Sequence, residues 1–240
     1  MAKTRFLIAC EPRTGSNWLC ALLQSHPRIL CHHEVFHPEQ IYYAVGHRDG
    51  RLAHLGTREE RDRDPQRFLE RLWGEDFGRP WVGIKILRGQ APEVLARLLA
   101  DRGVLKLILR RRSRVRACVS LLRARETGHW ARTSYDGVRV HVEARELLEF
   151  ARAYDAFYAG LRAASAAQPA LEVVYEDLQS DPRALARLLE FLGLDPAEAQ
   201  LREHTPRQSH DALRGTALES ELDEPAHSQS ASQSTGHGAP

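Results

Sequence analysis

Three features of this sequence predict an α/β fold in three layers, a central parallel sheet flanked by helices. Short apolar runs suited to buried strands alternate with segments of helical period: Phe6-Leu7-Ile8-Ala9-Cys10, Trp81 to Leu87, Val104 to Leu109, and Leu171 to Val174. The first run passes through a Gly-containing turn straight into an apolar-periodic helix, which makes the fold one of P-loop type. The length, 240 residues, suits a single such domain with a sizeable core.

Taken in order, the first helix carries Trp18, Leu19, Leu22 and Leu23, and Arg28-Ile29-Leu30-Cys31 reads as a short second strand. Residues 39–80 are charged and irregular. Their run TREERDRDPQR, 57–67, reads as a solvated loop and helix start, followed by a helix with Phe68, Leu69, Leu72 and Trp73 on its apolar side. The strand at Trp81–Leu87 carries one lysine, and a helix from Pro92 to Leu99 has Val94, Leu95, Leu98 and Leu99 at helical spacing. Val104–Leu109 is the best central-strand candidate. After it come Arg110-Arg111-Arg112-Ser113-Arg114 and a helix with Val115, Cys118, Val119 and Leu122 on its apolar side. A long helix over 142–162 follows, apolar at Leu147, Leu148, Phe150, Tyr154, Phe157 and Tyr158. Strand Leu171–Val174 is closed by Tyr175-Glu176-Asp177-Leu178, and the last clear helix, Arg183–Leu192, ends at Gly193. From Ser220 the chain is aperiodic Ser, Gln, His, Gly and Ala, which predicts a globular domain over 1–219 and a disordered tail over 220–240.

A net charge of +2 offers no case for a nucleic-acid binder driven by bulk charge. Lysine occurs only at Lys3, Lys85 and Lys106, so nearly all positive charge is arginine, a skew that with the abundant alanine suggests a bacterial coding sequence rich in GC. The four cysteines, Cys10, Cys20, Cys31 and Cys118, form no C-x-x-C pair, and three sit in apolar runs as buried free thiols suited to a reducing compartment. Without a signal-peptide pattern or a membrane-length apolar run, the expectation is a soluble cytoplasmic protein. A homodimer is compatible with the sequence, which otherwise leaves oligomeric state open.

Chemistry concentrates in Pro12-Arg13-Thr14-Gly15-Ser16-Asn17, between the first strand and helix. The first amides of a helix lack intrahelical partners and the dipole is positive there, so this geometry attracts an anion. Gly15 permits close approach of the backbone, while Arg13, Thr14, Ser16 and Asn17 add side-chain donors suited to phosphate or sulfate oxygens. The nucleoside-triphosphate pattern G-x-x-x-x-G-K-[ST] is absent, and a phosphatase loop is excluded because Ser16 stands six positions after Cys10, where arginine is required. Arg110 to Arg112 occupy the carboxyl end of another strand, where ligands of open parallel sheets collect; positive charge there opposes the helix dipole and is easier to understand beside an anion. His33-Glu34-Val35-Phe36-His37 is a formal H-E-x-x-H match, but Pro38 and the preceding Ile-Leu-Cys strand argue against the helix such a zinc site needs, so no metal is expected.

These residues resemble the sulfotransferase family that uses 3′-phosphoadenosine 5′-phosphosulfate (PAPS). The loop Pro12-Arg13-Thr14-Gly15-Ser16-Asn17-Trp18-Leu19 is similar to its 5′-phosphosulfate loop. Arg112, with Ser120 eight positions on, resembles its 3′-phosphate pair. Tyr175-Glu176-Asp177-Leu178, Asp181-Pro182 and Phe191-Leu192-Gly193-Leu194 resemble its late Y-E-D-L…D-P…F-L-G stretch. In order and spacing the three span 5–195, and the likeness is greatest to the bacterial carbohydrate sulfotransferases, including those of trehalose type.

The resemblance implies PAPS as sulfuryl donor with no metal required, bound by Arg13, Thr14, Gly15, Ser16, Asn17, Trp18, Arg112 and Ser120, with Arg207 added from Arg207-Gln208. It implies Glu34 as base, and a small-molecule or carbohydrate acceptor such as a sugar or glycolipid. The segments 39–80 and 123–142, which have no motif role, are expected to line the acceptor site. Arg13 replaces the lysine of many members and cannot donate its proton, which favours electrostatic stabilisation. The histidine base of the cytosolic animal enzymes has no counterpart near Lys85, where Ile86 and Leu87 follow, and their late R-K-G motif is missing. Two rival readings are an atypical P-loop nucleotide kinase and a non-catalytic nucleotide binder.

Overall fold

The computed structural model describes residues 3–130, 138–198 and 201. Five strands, β1 (Thr4–Cys10), β2 (Ile29–Cys31), β3 (Trp81–Leu87), β4 (Val104–Arg110) and β5 (Ala170–Val174), form one sheet of order β2-β3-β1-β4-β5, every pair parallel. The three-layer α/β fold expected from the alternation is therefore present. The middle strand is β1, with β4 at its side. Both are largely apolar, β4 with Lys106 among its apolar residues, so apolarity alone did not rank them.

Because successive strand side chains point to opposite faces, the sheet divides the interior into two cores. Leu7 and Ala9 of β1, Val82, Ile84 and Ile86 of β3, and Val104 and Ile108 of β4 face one side. There they meet α3 (Pro65–Gly74), α4 (Pro92–Ala100) and α6 (Ala144–Ser165). Phe6, Ile8 and Cys10, with Leu107 and Leu109, face the other side, against α1 (Ser16–Gln24) and α8 (Pro182–Phe191). Gly83 is required at this junction, since a Cβ there would lie 2.1 Å from the Phe6 ring.

Helix starts follow their local chemistry. Asp64-Pro65 and Asp181-Pro182 each place a capping carboxylate before a proline at the first helical position. Ser113 caps α5 (Arg114–Thr127), and α7 (Tyr175–Ser180) begins directly at the end of β5. Over 57–67, expected as a solvated loop and helix start, α3 does start at Pro65, but in place of the loop Arg58–Arg63 form a separate helix, α2. Thr57 and Glu60 make a capping box there, and Arg61 is buried, only 2% exposed. On α6, Leu148 is exposed where an apolar contact was expected, while Leu147 is buried. Arg207 and the tail over 220–240 lie outside the described residues.

The parallel register brings the carboxyl ends of the inner strands to one edge: Cys10 pairs with Leu87 and with Leu109, and Arg110 with Val174. The segments that follow β1, β3, β4 and β5 all emerge there. The chain's direction across the sheet reverses at β1, the position where open α/β sheets collect ligands.

Candidate active site

The turn between β1 and α1 is held in an uncommon conformation. Arg13 has φ 67°, Gly15 has φ 84°, and Thr14 between them stays in the ordinary negative range. Alternating handedness of this kind turns successive backbone N–H groups toward one point, an anion-binding concavity. A non-glycine residue at positive φ costs about 1 kcal/mol or more and persists where surrounding contacts dictate it. Here the Arg111 guanidinium donates to the Arg13 carbonyl at 3.4 Å, and the Thr14 hydroxyl donates to the Glu11 carbonyl at 2.8 Å. The Tyr175 ring lies over Gly15, packs edge-on against Trp18 at 5.7 Å, and has the Arg111 guanidinium over its face at 5.8 Å. Gly15 is the N-cap of α1 and supplies no side chain, and the first turn contains no acidic residue, so the positive end of the helix is left uncompensated.

Beside that helix end lies an ion pair. Lys85, on β3 and 1% exposed, places Nζ 2.9 Å from Glu34 Oε1 and donates to Asn17 Oδ1 at 2.5 Å. Gln90 donates to the other Glu34 oxygen at 2.8 Å, and His33 Nδ1 lies 3.3 Å from Asn17 Oδ1. Burial alone would raise the Glu34 carboxyl, but the Lys85 charge and the hydrogen bonds from Lys85 and Gln90 outweigh it and hold Glu34 below the usual carboxylate range. Burial likewise works against the Lys85 ammonium, and the Glu34 charge prevails and raises it. Both stay ionised at neutral pH. Cys10, buried at the end of β1, has its thiol pushed up to about 12 by desolvation and is no nucleophile.

Two tyrosines one turn apart on α6 secure the strand ends beneath the loop. Tyr158 donates to the Leu109 carbonyl at 2.7 Å and accepts from the Glu11 amide at 3.1 Å. Tyr154 donates to the Arg111 carbonyl at 2.7 Å and accepts from the Arg111 amide at 2.8 Å. Glu11 itself is buried and paired with Arg88, at 2.5 Å.

The expected site residues divide into two groups. Arg13, Thr14, Gly15, Ser16, Asn17 and Trp18 form one turn, and Glu34 joins it through Lys85. Arg13 Nε donates to Ser120 Oγ at 3.0 Å, and its Nη1 donates to the Trp130 carbonyl. Ser120 is therefore in contact with Arg13. Arg112 is 57% exposed and paired with Asp177, and its amide donates to Glu176. The arginines at and just beyond the end of β4 are met by acids of this same chain: Arg110 by Glu172, Arg111 by Glu176, Arg112 by Asp177, Arg114 by Asp155. Their charge is balanced within the chain and needs no external anion. His33 and His37 of the H-E-x-x-H match lie in a non-helical segment with separate partners, His37 accepting from the Glu39 amide.

The sequence places Arg111 in the arginine run after β4 and Tyr175 in the late motif, but it assigns no site role to Lys85 or Gln90. Lys85 carried a signal, being a charged residue inside a strand otherwise suited to full burial. Gln90 carried none, and the contact of Arg111 with the Arg13 carbonyl could not be read either, because both depend on which strand ends the sheet brings together.

A sequence model described as "Sulfotransferase family" matches residues 93–198. The chain is 31% identical over 231 residues to Nodulation protein H of Rhizobium tropici, covering 87% of this chain and 83% of that protein. It is 28% identical over 196 residues to Nodulation protein H of Rhizobium meliloti (strain 1021), covering 78% and 76%. A solved structure described as a sulfotransferase from Alicyclobacillus acidocaldarius shares the fold, with TM-score 0.51 and 17% identity over 92% of this chain and 93% of that one.

Proposed function

This chain belongs to the sulfotransferase family, and from that premise we propose that it moves a sulfuryl group from PAPS to a hydroxyl of a small molecule, a carbohydrate or glycolipid by class, with Glu34 as base. The observation that carries this reading is the ionised carboxylate of Glu34 held through Lys85 against Asn17 of the anion-binding turn. A site built only to bind anions has no use for negative charge beside it. A base that must take a proton from an attacking hydroxyl does.

The acceptor oxygen forms a new S–O bond while the S–O bond to the 5′-phosphate breaks. The bonding pair leaves with adenosine 3′,5′-bisphosphate, and the hydroxyl proton passes to Glu34. As in phosphoryl transfer through a loose transition state, the protein contributes mainly positioning and stabilisation of charge on the leaving group. The amides of Thr14 to Asn17 and the Arg13 guanidinium suit that task. Sulfuryl oxygens carry less charge than phosphoryl oxygens, so the mechanism needs no metal. Trp18 Nε1, buried beside Tyr175, lacks a hydrogen-bond partner among the described residues and leaves capacity for a nucleotide; Arg111, on the other side of Tyr175, has its Nε 3.6 Å from Glu176. Arg112 serves the 3′-phosphate once it exchanges Asp177 for the ligand, and Ser120 acts there with Arg13 or in concert with Arg112.

Of the rival readings, a nucleotide kinase is disfavoured because the lysine at the turn comes from β3 and is already committed to Glu34 and Asn17. A cytoplasmic setting is supported by four buried free thiols; among the described residues no helix is long and apolar enough to cross a membrane. Calorimetry with adenosine 3′,5′-bisphosphate and with ATP tests the donor. Tight binding of the bisphosphate without magnesium is expected, and a magnesium-dependent preference for ATP would overturn the reading. Acceptors are found by screening hydroxyl compounds with radiolabelled PAPS.

A further inference from the structure

Helix α2 contains the least expected buried charge in the molecule. Arg61 is 2% exposed, yet it lies in a run of alternating charge. Its Nη1 donates to the carbonyls of Val35 at 2.8 Å, His37 at 2.9 Å and Gln40 at 3.4 Å. Its Nε and Nη2 reach Asp62 Oδ1 at 2.8 and 2.6 Å, and its guanidinium lies 5.7 Å from the Phe36 ring centre. From the same helix Arg58 donates to the Pro38 carbonyl at 3.1 Å. Two arginines thus take four carbonyls from the six residues directly after Glu34. That segment is closed on itself at Glu34, whose carbonyl accepts from the amides of His37 at 3.1 Å and Tyr42 at 3.2 Å.

Inward carbonyls in an irregular segment must be satisfied or they cost folding free energy. A guanidinium offers five donors in a rigid fork and keeps its charge when buried, so it can serve several carbonyls at once as no other side chain can. We propose that Arg61 is a positioning residue for the reaction: by gathering the carbonyls of 35–40 it fixes the backbone from which Glu34 reaches Lys85 and Gln90. This inference rests on the reading of Glu34 as base. Arg61 touches neither the carboxyl nor the turn that binds the donor, and acts only through the backbone.

The groups acting on the Glu34 carboxyl are Lys85 of β3, Gln90 after β3, and His37 of its own segment; Glu34 in turn acts on Cys20 of α1. If Arg61 sets the distance to Lys85 and Gln90, releasing the segment weakens those two contacts and moves the carboxyl titration upward. The test measures the Glu34 carboxyl by NMR in full-length protein carrying 13C-carboxyl glutamate, with E34Q assigning the signal, in wild type, R61K and R61M. Turnover and adenosine 3′,5′-bisphosphate affinity are measured on the same samples.

The expected result is a titration raised by about half a pH unit or more in folded R61M and by less in R61K. Turnover should fall about ten- to a hundredfold, the scale of a small misplacement of a reacting group, with bisphosphate affinity unchanged. An unmoved titration in either folded variant overturns the proposal, as does failure of both variants to fold, which would make Arg61 a residue of core stability. The base assignment fails separately: E34Q would then turn over like wild type, while the titration would still report whether Arg61 positions Glu34.

Discussion

At the level of single residues, the account rests on a lysine and a glutamate that hold each other charged in a largely buried place. Lys85 is enclosed, and Glu34 is 17% exposed on its side chain. Removing one member of such a pair costs more than the pair contributes, because the other charge is stranded. Lys85→Met is expected to destabilise the protein by about 3 kcal/mol at neutral pH, measured by chemical denaturation. The sign of its pH dependence follows from Glu34. In wild type the folded carboxyl is depressed, so the stability it contributes is present above its unfolded value and is lost as pH falls through the lower folded value. In the variant, burial is opposed only by Gln90 and His37 and the carboxyl rises, so the deficit shrinks as the solution is acidified. A deficit independent of pH would mean that the pair is not what holds Glu34 ionised. Glu34 itself was legible in the sequence only by resemblance. Lys85 was visible as a charge in an apolar strand, but nothing in the sequence indicated that it meets a residue fifty-one positions earlier.

Among the elements, the turn between β1 and α1 was the most legible, because an apolar strand, a glycine and an uncapped helix start are local signals. Its cover was not, since Tyr175 arrives from the far end of β5. A Cβ at Gly15 would lie 2.1 Å from the Tyr175 ring, on a residue already at φ 84°. Gly15→Ala is therefore expected to cost about 2 kcal/mol or more in stability and at least about tenfold in bisphosphate affinity. Thermal unfolding and calorimetry check the two effects, and wild-type affinity in this variant would show that the turn does not need its present shape. Helix α2 teaches the opposite lesson. Thr57 and Glu60 spell a capping box that was there to be read. The dense charge around them suggested solvent, and the burial of Arg61 follows from carbonyls that no side-chain pattern records.

For the molecule as a whole, alternating apolar runs and helical periods were enough for the parallel sheet, because each is a local consequence of burial on two faces or one. The order β2-β3-β1-β4-β5 was not accessible that way: it depends on which runs pair. That order is also what makes the site. It sets β1, β3 and β4 side by side, so that Lys85 reaches Asn17 and Arg111 reaches Arg13 of the turn after β1 though they are far apart in sequence. Arg112 and Ser120 illustrate the same limit, since their spacing is evident in the sequence while their partners, Asp177 and Arg13, come from other strand ends. The central claim is that this converged edge transfers a sulfuryl group with Glu34 taking the proton. Its most direct test is turnover of radiolabelled PAPS by Glu34→Gln beside wild type, with adenosine 3′,5′-bisphosphate affinity measured on both. The account predicts turnover lower by about a hundredfold or more with affinity unchanged within about twofold; equal turnover by the two proteins would contradict it.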